Sequence, residues 1–88
     1  MKTGIERIKI VFDESADRAE KHFSIGGKMH LDVADYILNY LEGIAFAATM
    51  AYKEKMSDYE LADEMFERAR NLRMQILNKK YGRQQKAR

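Results

Sequence analysis

Residues 36–52, YILNYLEGIAFAATMAY, are apolar around the whole circumference of a helix rather than along one side of it. At helical spacing Ala34, Ile37, Leu38, Leu41, Ile44, Ala45, Ala48 and Tyr52 share one face. Tyr36, Gly43, Phe46 and Met50 lie on the opposite side, flanked by Tyr40 and Ala47. A helix of this kind is buried on more than one side. A membrane would achieve that, but 17 residues are short against the ~20 that a span needs. Glu42 in the middle adds about 2.5–3.5 kcal/mol to the cost of insertion. The better expectation is a central helix covered on one side by its own chain and on the other by a second copy. Tyr36, Tyr40, Gly43, Phe46, Ala47 and Met50 are then the expected dimer interface, with no membrane contact. Gly43, Ala47 and Ala51 recur every four residues, a spacing of small side chains that permits close helix approach.

Outward from this run, two further helices are expected. In TGIE, Thr3 and Glu6 have the spacing of a capping box. Ile5, Ile8, Phe12, Ala16, Ala19 and Phe23 follow as one stripe, and the helix covers about 4–23. Gly26 and Gly27 in SIGG are free to take the positive φ that ends it. Ile8, Ile10 and Phe12 also alternate, so a short strand at 8–12 in an α+β chain is the competing pattern. The longer helical periodicity and the cap favour the helix. The central helix is expected over 32–55, with Asp32 as cap and Asp35 in its first turn. The third is expected over 58–81, opened by Ser57 and Glu60 and closed by Gly82. Its core stripe is Ala62, Met65, Phe66, Ala69, Leu72 and Ile76. A break this short folds the second and third helices back as an antiparallel hairpin. The fold class is all-α: a three-helix bundle forming one domain over 1–82, a homodimer, with 83–88 as a basic tail.

Composition agrees with this class. The 88 residues contain no Pro and no Cys, which excludes disulfides and thiolate metal sites. One small core is expected, and a chain this short gains from an interface. The N-terminal stretch has no secretory pattern, so a cytoplasmic location is expected.

Motifs of catalysis are missing. His22 and His30 have no metal-ligand spacing to another donor and are expected at the surface or as caps. GGK at 26–28 lacks the rest of a phosphate loop and reads as a hinge. Ser15, Ser24 and Ser57 have no matching His–Asp set. Glu60, Asp63, Glu64 and Glu67 share a helix face, but acidic residues near a helix start suit the dipole, and Glu64 is placed to pair with Arg68. Glu42, set among apolar residues, needs a partner, and an Arg of the third helix is the natural one. No enzyme activity, metal or cofactor is expected.

Charge carries the remaining signal. Residues 1–67 hold eight basic and fourteen acidic side chains, whereas 68–88 hold eight basic and none acidic. A helix dipole accounts for only the cations of the last turn. Arg68, Arg70, Arg73, Lys79, Lys80, Arg83, Lys86 and Arg88, with Tyr81 to stack on a base, are therefore the expected nucleic-acid contacts, DNA or RNA. A small non-enzymatic regulatory protein follows. The alternative is a protein-binding adaptor or inhibitor that offers an acidic protein surface its basic end, docks on a nucleic-acid-associated protein and makes no nucleic-acid contact.

Overall fold

The computed structural model describes the backbone of residues 2–86 and the side chains of residues 2–81. Within them the chain is three helices and no strand: α1 (Gly4–Ile25), α2 (Gly27–Ala51) and α3 (Met56–Lys86). Each helix packs on the other two. At 1.5 Å per residue α3 is about 46 Å long, which sets the 48 Å long axis of the bundle.

The capping box at the start of α1 is present: Glu6 N–H donates to Thr3 Oγ1 at 3.3 Å, and Thr3 N–H donates to Glu6 Oε1 at 2.7 Å. That backbone hydrogen bond, with Thr3's side chain and nearby lysines adding to it, holds the Glu6 carboxyl below its ordinary range. Residues 8–12 are helical because the 3.6-residue stripe buries Ile5, Phe12, Ala16 and Ala19 together. A strand would bury Ile8, Ile10 and Phe12 instead, and Ile10 is exposed.

The break between α1 and α2 is a single residue. Gly26 has φ 79° and ψ −176°, a region essentially reserved for glycine, and Gly27 has φ 84°. This turn makes a loop unnecessary, so α2 begins five residues earlier than the expected 32. Asp32 is thus not a cap; it accepts from Lys28 Nζ one turn back at 3.0 Å. Gly26→Ala is expected to destabilise the fold by about 1–2 kcal/mol in urea unfolding, through backbone strain alone. Nothing lies within 4 Å of the added Cβ, so no steric clash contributes.

At its other end α2 stops at Ala51, four residues short of the expected 55, where Tyr52 N–H still donates to Ala48 C=O. α3 starts at Met56, which places Ser57 inside the first turn rather than at the cap. It also runs through Gly82, because the residues that follow contain no Pro and are mostly good helix formers.

The core is built of small and large residues in alternation. Phe12, Leu38, Leu41, Met65, Leu72 and Ile76 fill it, and Ala16, Ala34, Ala45, Ala62 and Ala69 let the helices approach. Phe66, expected in this stripe, lies at its edge and is 41% exposed.

Candidate functional site

The cations of α3 divide into two groups by what lies beside them. Arg68 faces α1. Its Nη1 donates to Asp13 Oδ1 at 3.1 Å, and its Nη2 lies 2.7 Å from Asp17 Oδ1 and 3.2 Å from Glu20 Oε1. Burial works against the Arg68 charge, but the carboxylates of Asp17, Glu20 and Asp13 outweigh it and raise its affinity for the proton. Lys9 completes the cluster, 2.8 Å from Asp13 and 4.0 Å from Glu64. The expected local pair between Glu64 and Arg68 is thus replaced by pairs between helices. Three carboxylates one turn apart on α1 offer Arg68 more than one neighbour on its own helix.

Arg73 faces α2 in the same manner. Its Nε donates to Glu42 Oε2 at 3.1 Å and its Nη2 to Glu42 Oε1 at 2.9 Å, a two-pronged contact of the kind that makes Arg–carboxylate pairs strong. Nη2 also donates to Asn39 Oδ1 at 2.7 Å, and Nη1 donates to Asp35. The bond to Glu42 is the main cause of the raised pKa of Arg73, with burial opposing it and Asp35 adding to it. Asp35 is correspondingly held below the ordinary carboxylate range, chiefly by Arg73, against a smaller opposing effect of burial and with help from Lys80. The partner expected for Glu42 on the third helix is therefore Arg73. Lys80 Nζ reaches Asp35 at 3.1 Å and Asp32 at 3.9 Å.

Of the other expected nucleic-acid contacts, Arg70 lies 3.7 Å from Glu67 on the outer side of α3, and Lys79 and Tyr81 are exposed. The side chains of Arg83, Lys86 and Arg88 lie outside the described residues. One further cation joins this end. Lys28, from the first turn of α2, lines a groove of about 470 Å³ with Lys79, Lys80, Tyr81 and Asp32. Lys28 is remote from Lys79, Lys80 and Tyr81 in the chain, so no local pattern joins it to them.

The expected interface residues form a separate surface. Tyr36 is 78% exposed, Phe46 62%, Tyr40 61% and Met50 55%, and Gly43 and Ala47 are exposed between them. An apolar groove of about 600 Å³ runs along one side of this face, lined by Ile8 and Val11 of α1 and by Ile44, Ala47, Ala51 and Tyr52. On the other side Phe46, Phe66 and Met74 border a second groove that also contains Arg70 and Arg73.

His22 and His30 meet across the elbow. Their Nδ1 atoms are 2.9 Å apart and the rings stack with centroids 5.2 Å apart. One Nδ1–H donates and the other nitrogen accepts, so the pair ties the end of α1 to the start of α2. A separation of eight residues across a helix break has no helical period, which is why spacing alone did not connect them. Among the described residues no group of three His, Cys, Asp or Glu is placed to hold a metal ion, and no helix is long and apolar enough to cross a membrane. No family model, no curated protein and no solved structure matches the chain.

Proposed function

We propose that the chain is a small non-enzymatic protein-binding adaptor that works as a homodimer through the outer face of α2. In this reading α2 and α3 form an antiparallel hairpin, supported by the ion pairs of Asp35 with Arg73 and Lys80 and of Glu42 with Arg73. The observation that carries the proposal is the face itself: three aromatic rings and a methionine, each more than half exposed, on one side of a single helix. Isolated exposed apolar residues need no explanation, but a contiguous patch of this size marks an interaction surface. The bundle ends, with Lys28, Lys79 and Tyr81, are offered to an acidic protein surface.

A second reading, direct nucleic-acid binding, is favoured by the groove that gathers Lys28, Lys79, Lys80 and Tyr81. Against it stand the ion pairs of Arg68, Arg73 and Lys80 with carboxylates of the same chain, and those carboxylates repel phosphate. Sedimentation alone and with mixed-sequence DNA and RNA duplexes, at about 50 and 200 mM salt, separates the two. A dimer that leaves both duplexes unbound is the expected result. Co-sedimentation lost at the higher salt would overturn the adaptor reading in favour of nucleic acid.

A further inference from the structure

Along its exposed side α2 repeats in alternating steps of four and three residues: Met29, Val33, Tyr36, Tyr40, Gly43, Ala47, Met50. This is the 3.5-residue period of a helix seam that packs against another helix over several turns. Side-chain size along the seam is not uniform. The first half presents the two tyrosines, and the middle of the helix presents Gly43 and Ala47. An added Cβ on Gly43 would meet nothing within 4 Å, so the notch there is open to an incoming group. Both the ridge and the notch lie on the same helix, which makes the surface complementary to itself when the second helix runs the opposite way.

We infer that two copies of the chain pack α2 against α2 in antiparallel orientation, about a two-fold axis that crosses the helix between Tyr40 and Gly43. The inference rests on the proposed homodimer and specifies its geometry. In this register Tyr40 of each copy covers Gly43 of the other, Tyr36 covers Ala47, and Val33 meets Met50. Every large residue then faces a small or flexible one. A parallel pair would set ring on ring and leave Gly43 opposite Gly43 with a void between them, which forfeits packing. Tyr36, placed over Ala47, also reaches the apolar groove whose other wall is Ile8 and Val11, so α1 shares in the interface. Val11 is 52% exposed, and burial by the second copy's ring accounts for a β-branched apolar residue at that position.

The available area fits a dimer. With aromatic side chains of roughly 200 Å² each, the exposed parts of Tyr36, Tyr40 and Phe46 offer about 400 Å². Met29, Met50 and Val11 extend the same surface toward the ~800 Å² per partner that a standard interface buries. Charge does not oppose the pairing, since the nearest carboxylates on α2, Asp35 and Glu42, are engaged by Arg73. The arrangement sets Lys28 of the two copies about 40 Å apart along the helix axis, one basic end at each extremity of the dimer.

The chain contains no cysteine, so engineered thiols report the geometry without background. Val33→Cys and Met50→Cys proteins are prepared separately, mixed, and oxidised with diamide. The expected result is a covalent heterodimer in the mixture and little cross-linking of either protein alone, because like positions lie about 25 Å apart along the antiparallel seam. Self-linking of each single variant would overturn the antiparallel geometry while leaving the homodimer intact. A monomer by sedimentation at about 100 μM would remove both. Val11→Asp tests the share of α1: dimer dissociation is expected to become at least tenfold easier, with circular dichroism unchanged. An unaltered dimer constant would overturn that part.

Discussion

Replacing Arg73 by Met is expected to lower stability by about 2–3 kcal/mol in urea unfolding at pH 7. The substitution keeps an unbranched stem across the α2–α3 contact and removes the guanidinium that Asp35, Asn39 and Glu42 share. Loss of one partner from a fully buried pair costs about 3–5 kcal/mol, because the remaining charge is left without compensation. Arg73 is only 23% exposed, but Glu42 is 40% exposed and can recover water, which moves the figure toward the lower end. Acid should narrow the difference. Asp35 has a lowered pKa in the folded state, so the stability it contributes is present above its ordinary value and is lost as pH falls through the lowered one. Wild-type stability therefore declines below about pH 4, and Arg73→Met, lacking the main cause of that shift, declines less steeply. Parallel pH profiles for the two proteins would sink the assignment of Arg73 to a structural clamp.

Phe12→Ala is expected to have the larger effect, about 3–5 kcal/mol, the usual range for truncating a fully buried Phe. Phe12 has no exposed surface and sits in the core shared by all three helices. A chain of 88 residues has few other large side chains with which to close the cavity. The melting temperature, followed by circular dichroism at 222 nm, should fall by about 15–30 °C. Phe46→Ala removes the same ring from the exposed face of α2. Within one protomer its cost is expected to stay within about 0.5 kcal/mol. In the proposed dimer its melting temperature depends less on protein concentration than that of the wild type, since a weakened interface leaves a smaller dimer fraction to stabilise the fold. Equal losses for the two variants at every concentration would remove the distinction between core and interface.

The nucleic-acid reading depends on cations free to meet phosphate, whereas the adaptor reading rests on the outer face of α2, so the neighbours of those cations bear on the choice. Sequence periodicity places Arg68 and Arg73 on α3 but says nothing of their neighbours. A long basic side chain on a helix edge reaches either solvent or a carboxylate on the next helix, and both outcomes have the same local pattern. The partners found here are 31 to 55 residues away in the chain. Glu42 is the exception that was legible, because a carboxylate set among apolar residues requires a cation and α3 was the helix expected to lie beside it.

The three helices, most of the residues that bury their inner faces (Phe66 excepted) and the apolar outer face of α2 were determined by the amino-acid sequence alone. Each is a consequence of side-chain periodicity over a few turns, and the capping box of Thr3 and Glu6 acts within three residues. The tertiary structure decided the rest. Two consecutive glycines at positive φ, Gly26 and Gly27, replaced a loop and moved the start of α2 to Gly27. The same elbow brought His22 to His30, and the packing of α3 on the other two helices turned Arg68, Arg73 and Lys80 toward carboxylates. These contacts depend on how helices lie against one another, a relation that no local pattern encodes.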